Sequence, residues 1–190
     1  MVLWLPVGAI SIAAVLFTLW PGDPVLNYGW IEGLALRQEP WRWLTAHLTH
    51  LNPSHLLLNL SALFALAFIC RRQSSTPAFW GAFGFGLLAL DAGLAWGGTG
   101  IQWYLGLSGC LHGVFAWLVL RGIAEKRGHR PALWLLFALG LLKTWLETGL
   151  PLGSPGLAGI PLAPAAHLFG YLGGCAWALI SLVGRDREPG

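Results

Sequence analysis

The chain has 190 residues, of which 56% are hydrophobic and 10% are charged. So few charged side chains cannot supply the polar surface of a soluble domain of this length, which favours a membrane protein. The net charge of +3 comes from basic residues that cluster between apolar segments. They form no basic face, so we expect the lipid bilayer, and no nucleic acid, as a partner.

Six apolar segments are close to the length of about 20 helical residues that a hydrocarbon core requires. They cover residues 2–20, 53–70, 77–96, 105–121, 131–149 and 164–184. The first lacks a basic segment before it and a small-residue cleavage site after it, so we expect a retained helix and not a signal peptide. The sequence therefore predicts an all-α membrane protein, a single domain over residues 1–190 built as a bundle of six transmembrane helices.

Basic residues between these segments indicate the orientation in the membrane. Lys and Arg are enriched at cytoplasmic helix ends. Most of them fall on one side of a six-span arrangement: Arg71, Arg72, Arg121, Lys126, Arg127, Arg130, Arg185 and Arg187. We therefore expect both termini in the cytoplasm. The first outer loop, residues 21–52, is rich in tryptophan and is expected to pack at the membrane surface or partly inside the membrane.

Strongly polar residues inside membrane spans are costly, so each is a functional candidate. The predicted spans hold His55, Asn59, Asp91, Ser108, His112, Lys143, Glu147 and His167. His55 and Asn59 are four residues apart, as are Ser108 and His112, so each pair shares a helix face. In the predicted topology His55, Asn59, Ser108, His112 and His167 lie in the outer half of the membrane, at similar depths.

This set of side chains has the parts of a serine hydrolase. A serine hydroxyl needs a neighbouring base, which His167 could provide for Ser108. The side chains of His55 and Asn59, with the Ser108 amide, could stabilise the oxyanion. No aspartate is placed to orient His167, so we expect a Ser–His dyad that needs no cofactor and no metal.

Glycines accompany both predicted catalytic residues. Gly106 and Gly109 flank Leu107-Ser108 and permit a close approach of the backbone. Gly170 and Gly174 follow His167 on one helix face, where small residues four apart let membrane helices pack closely. The three cysteines show no paired spacing and are expected in helix interfaces.

At these residues the sequence resembles the rhomboid family of intramembrane serine proteases. The shared motifs are Trp41-Arg42 with Thr45 and His50, His55-Leu-Leu-Leu-Asn59, Gly106-Leu-Ser108-Gly109, and Ala166-His167 through Gly170 to Gly174. The resemblance spans nearly the whole chain. It implies Ser108 as nucleophile, His167 as general base, and His55 and Asn59 as oxyanion-hole side chains. It also implies that the loop 151–164 gates substrate entry.

His112 narrows the resemblance. In the best-known rhomboids an aromatic residue stands four positions after the serine, whereas here the residue is His112. That pattern is similar to the rhombosortase branch, which implies bacterial substrates that end in a Gly-Gly motif, a membrane helix and a basic tail. The expected location is the bacterial inner membrane, with the active site open to the periplasm.

Other interpretations remain open at this point. Lys143 and Glu147 are expected simply to pair on the fifth helix. Asp91 is expected to pair with Arg42 or to cap a loop, and His50 to hold loop structure. A metal-handling membrane protein is an alternative that would use histidines of the outer side: His47, His50, His55, His112 and His167. A catalytically inactive rhomboid relative that acts as a membrane chaperone is another.

Overall fold

The computed structural model of the protein describes residues 3–73, 75–96, 101–126, 128–150 and 164–185. Within these ranges the chain forms helices and one small sheet. The helices are α1 (Trp4–Leu19), α2 (Pro24–Tyr28), α3 (Leu34–Arg37), α4 (Arg42–Leu48), α5 (Pro53–Gln73), α6 (Thr76–Trp96), α7 (Ser108–Ala124), α8 (Arg130–Thr148) and α9 (Pro164–Arg185). The strands β1 (Trp30–Ile31) and β2 (Trp103–Tyr104) pair antiparallel, with Trp30 opposite Tyr104.

The protein is mostly helical, and each of the six predicted spans corresponds to one helix. By length and composition, three segments of the described chain could cross a membrane: Pro53–Arg71, Thr76–Trp96 and Ala165–Leu182. Helices Trp4–Leu19 and Ser108–Ala124 are apolar but shorter. The six-span count and the orientation of the termini stay predictions. The two-residue strands are a small departure from the predicted all-α fold.

Helix α7 lies at the centre of the bundle, and the other long helices pack around it. It contacts α5, α6, α8 and α9, and α6 and α9 also pack against each other. Fully buried Val114 and Trp117 of α7 share one apolar cluster with Leu63 of α5 and Phe79 of α6. By contrast, Thr144 is the single buried residue of α8, so most of that helix faces outward.

Glycines set the distance between α7 and α9. A methyl group added at Gly170 would overlap the carbonyl of Gly109, and one added at Gly174 would overlap the carbonyl of Gly113. A methyl at Gly113 would lie 3.0 Å from the Cα of Gly86 on α6. The three backbones therefore touch without intervening side chains, as in close membrane helix pairs.

The first outer segment folds into short helices held by a buried arginine. Arg42 is 4% exposed and donates to the backbone carbonyls of Val25, Leu26 and Gly29. It also forms an ion pair with Glu39. The predicted Arg42–Asp91 pair is therefore wrong, because the Arg42 guanidinium is occupied by α2 and by the carboxylate three residues before it.

The glycine contact generates a stability prediction. Gly174→Ala should lower the free energy of unfolding by about 1–3 kcal/mol or more, since the new methyl meets a rigid backbone carbonyl. The matched control is Gly84→Ala on α6, where an added methyl would have no heavy atom within 4 Å. That variant should be stabilised by up to about 1 kcal/mol. Thermal unfolding in detergent measures both, and equal effects would contradict the packing.

Candidate active site

Ser108 and His167 meet at the start of two neighbouring helices. Ser108 is the first residue of α7, and His167 lies in the first turn of α9. The Ser108 hydroxyl oxygen is 2.9 Å from Nε2 of His167, a hydrogen-bond distance. His167 is 7% exposed and Ser108 is partly buried, so the pair lies largely inside the protein.

A carboxylate holds the other side of the His167 ring. Oε2 of Glu147, near the end of α8, lies 2.9 Å from Nδ1 of His167. Its second oxygen, Oε1, pairs with Lys143 Nζ at 3.1 Å. The predicted Lys143–Glu147 pair is confirmed. The sequence analysis looked for an aspartate beside His167 and did not predict that this glutamate contacts the ring. Sequence reasoning considered aspartates and gave Glu147 a local pairing role.

The partners of His167 fix where its proton lies. An ionised carboxylate only accepts hydrogen bonds, so the Glu147 contact requires the proton on Nδ1. Nε2 of the neutral ring then keeps its lone pair and accepts the hydrogen bond that the Ser108 hydroxyl donates. This is the tautomer that a general base for Ser108 needs.

His112 lies against the His167 ring. The two rings stack, with centroids 4.4 Å apart and planes 21° apart. His112 Nδ1 donates to the Ser108 carbonyl at 2.6 Å. Its Nε2 lies 2.8 Å from Lys143 Nζ, and an ammonium only donates, so Nε2 is the acceptor. His112 is therefore a neutral ring with both nitrogens engaged.

The turn before Ser108 faces two side chains of α5. Gly106 has φ +111, a conformation that favours glycine. A methyl group added at Gly106 would lie 2.9 Å from Nε2 of His55 and 3.6 Å from Nδ2 of Asn59. Asn59 also donates to the His55 carbonyl at 3.1 Å. The structure thus brings His55 and Asn59 beside the turn that carries Ser108.

Three hydrogen bonds hold this turn in place. The Tyr104 hydroxyl donates to the Gly106 carbonyl at 2.5 Å and accepts from the Gly109 amide at 3.4 Å. The Gly106 amide donates to the Ala46 carbonyl at 2.8 Å. The fourth predicted helix therefore begins at Ser108 and not at residue 105, because the Gly106 conformation cannot continue a helix. The sequence analysis did not identify Tyr104 as a site residue. Its one signal in the sequence is a tyrosine two residues before the Gly106-Leu-Ser108-Gly109 motif.

A second polar cluster lies behind the serine. His47 is fully buried, its Nε2 is 2.9 Å from Asp91 Oδ1, and its Nδ1 is 3.8 Å from Cys110 Sγ. Burial opposes a charge on this ring, but Cys110 and Asp91 outweigh it and raise the pKa of His47 to about 10. The cluster connects α4 to α6 through Asp91 and to α7 through Cys110, two residues after Ser108.

His50 has the structural position that the sequence predicts. Its Nδ1 lies 3.3 Å from the Thr18 hydroxyl, and its ring meets the His55 ring edge to face at 5.0 Å. Burial and the neighbouring His55 lower the pKa of His50 to about 3, so this ring is neutral at physiological pH.

The remaining predicted site residues, Trp41 and Arg42, belong to the first outer segment. The Trp41 side chain is 52% exposed, and the contacts of Arg42 are to the first outer segment. The predicted gating loop lies outside the described residues, apart from Pro164 at the start of α9. In the part of the chain that the structure describes, no three His, Cys, Asp or Glu side chains converge to hold a metal.

The chain matches the model of a known protein family. The model of the Rhomboid domain matches residues 37–183, more than half of the chain, and that range includes Ser108, His112, Glu147 and His167. A search of curated proteins finds no match to the chain.

The contacts of Tyr104 generate a prediction about the turn. Tyr104→Phe should slow the reaction of Ser108 with a fluorophosphonate probe about 10-fold, since the buried Gly106 carbonyl loses its donor and the turn relaxes. Labelling rates in detergent measure this. Tyr28→Phe is the matched control, because its ring packs edge to face on Phe17 of α1. If both variants react at the wild-type rate, Tyr104 does not position the serine.

Proposed function

The chain belongs to the rhomboid family, and from this premise we propose that it is an intramembrane serine endopeptidase. Rhomboid proteins are in general serine proteases of the membrane, and the apolar helices mark this chain as an integral membrane protein. The observation that carries the proposal is the 2.9 Å hydrogen bond between Ser108 Oγ and His167 Nε2.

The proposed reaction begins with attack by Ser108 on the scissile carbonyl. As the carbon of the scissile carbonyl becomes tetrahedral, the proton of the Ser108 hydroxyl moves to Nε2 of His167. His167 then gives this proton to the leaving amine, and the carbonyl remains as an ester of Ser108. Water attacks the ester by the same route in reverse, which releases the acid and restores the hydroxyl.

The oxyanion of the tetrahedral intermediate would be stabilised by donors around the Gly106 turn. Ser108 opens α7, where backbone N–H groups have no carbonyl one turn earlier in the helix. Asn59 has two amide hydrogens, and the one not given to the His55 carbonyl could point at the oxyanion. Nε2 of His55, next to Gly106, would supply a further donor.

The proposed substrate class follows from the rhombosortase-like position of His112. Substrates would be bacterial membrane proteins with a C-terminal Gly-Gly motif, an apolar helix and a basic tail. Gly-Gly suits a site enclosed by helices, because a segment without side chains can reach a partly buried serine. The proposed location is the inner membrane, with the site open to the periplasm and the basic tail in the cytoplasm.

The two alternative functions have less support. A metal-handling role would use the histidines beside Ser108 as ligands, yet both nitrogens of His112 and of His167 already contact other protein groups. A chaperone without activity would have no need of a serine and a histidine in contact. The Ser108–His167 pair therefore favours the protease.

Probe labelling tests the protease proposal directly. Wild-type protein should react covalently with a fluorescent fluorophosphonate, while Ser108→Ala and His167→Ala should show no labelling above background. Ser61→Ala, on an outward face of α5, is the matched control and should label like the wild type. An unlabelled wild type that also cleaves no anchored protein in vesicles would contradict the proposal.

A reconstituted substrate tests the narrower class. A reporter with a Gly-Gly motif, an apolar helix and a basic tail should be cut near Gly-Gly in vesicles that contain the wild-type protein. Replacing Gly-Gly by Val-Val should slow cleavage at least about 10-fold, because branched side chains must enter an enclosed site. If the protein is labelled by the probe but cuts both reporters equally, the protease proposal stands and the Gly-Gly specificity is wrong.

A further inference from the structure

We propose that Glu147 is the positioning residue of this site, so that the working unit is Ser108–His167–Glu147 and not a pair. This inference rests on the proposed function, since it assigns a role within that reaction. It starts from the 2.9 Å contact between Glu147 Oε2 and His167 Nδ1, on the side of the ring opposite Ser108.

The Glu147 carboxylate is placed with little freedom. Its side chain is 12% exposed, and each of its two oxygens has a partner, Oε1 on Lys143 and Oε2 on His167. A carboxylate buried in an apolar helix is costly unless it is paired and hydrogen-bonded. A carboxylate that is 12% exposed adds little to the polar surface of the protein, so solubility does not explain it. Its contact with His167 does.

The contact supplies two things to the proposed reaction. Before attack, the acceptor-only carboxylate keeps the proton on Nδ1, which leaves Nε2 free to take the Ser108 proton. After that transfer His167 carries a positive charge, and Glu147 stabilises it at hydrogen-bond distance. Glu147 does not itself take a proton: the one that leaves Ser108 stays on Nε2 until it passes to the amine.

Lys143 joins this unit to the ring stacked on it. The lysine is one helical turn before Glu147 on α8, and its Nζ lies 3.1 Å from Glu147 Oε1 and 2.8 Å from His112 Nε2. Two side chains of α8 therefore contact the outer nitrogens of both stacked rings. His112 limits the rotation of the His167 ring by stacking on it, and Glu147 fixes which edge of the His167 ring faces Ser108.

Glu147→Gln is the decisive variant. It keeps the size of the side chain but removes its charge, and its amide can donate to Nδ1 and favour the wrong tautomer. We expect kcat and the rate of fluorophosphonate labelling to fall about 10²- to 10⁴-fold, with KM nearly unchanged. Glu147→Asp, which restores a carboxylate, should recover part of the rate.

Glu125→Gln is the matched control. Glu125 forms an i,i+4 ion pair with Arg121 at the opposite end of α7 and is 14% exposed, close to the 12% of Glu147. The same substitution there should leave labelling at the wild-type rate. If both variants slow labelling equally, the effect is a general loss of ion pairing and the proposal is wrong.

The tautomer of His167 gives a readout that needs no variant of Glu147. Nitrogen-15 NMR of histidine-labelled protein in micelles, with His167 assigned from the spectrum of His167→Ala, should show the proton on Nδ1 at neutral pH. A proton on Nε2 in the wild type would overturn the proposal even if Glu147→Gln did not fold.

Different results would contradict the protease activity and the role of Glu147. If Ser108 of the wild type is not labelled, the proposed protease itself is wrong. If the wild type is labelled in a Ser108-dependent way and folded Glu147→Gln reacts equally fast, the serine protease stands and the role of Glu147 is refuted. Slow labelling of Glu147→Gln with partial recovery in Glu147→Asp supports both.

Discussion

The close approach of α7 and α9 is the contact on which the rest of the site depends. A serine and a histidine on different helices can share a hydrogen bond only if the helices hold the two side chains within reach, and here the helix backbones nearly touch. Gly109 and Gly170 allow this, because a methyl at Gly170 would overlap the Gly109 carbonyl. Gly109 follows Ser108 directly, and Gly170 lies one turn after His167. The packing contact and the 2.9 Å reaction distance are therefore set by the same stretch of chain.

The buried polar groups around this contact stabilise one another. In an apolar environment an unpartnered polar group costs several kcal/mol, so each such residue needs a defined neighbour. His47 bonds to Asp91, and Tyr104 bonds to Gly106 on the turn before the serine. These partners come from α4, α6 and the β2 segment. The nucleophile is thus fixed from several helices, and not by its own helix alone.

The sequence predicts the long helices well, because apolar length and interrupting charges depend on local composition. It also indicates Ser108 and His167 as candidate site residues, because polar side chains are costly in membrane spans and these lie at similar depths on separate predicted helices. It could not pair Glu147 with His167, since the two lie 20 positions apart and the segment between them includes a stretch with no periodicity. The same limit explains Asp91, which meets His47 across 44 positions and not the expected Arg42. The helix start at Ser108 depends on one dihedral angle at Gly106.

His112 is nearer to Ser108 in the chain than His167 is, yet it is poorly placed to act as the base. Its Nδ1 is given to the Ser108 carbonyl and its Nε2 to Lys143, so neither nitrogen faces the hydroxyl. A purely aromatic ring at this position could stack on His167 equally well. Such a ring could not accept a hydrogen bond from Lys143. The ammonium would then keep Glu147 as a partner but lose His112. The histidine therefore adds a polar link between α7 and α8 to the stacking role, and that link holds Lys143 where it also contacts Glu147.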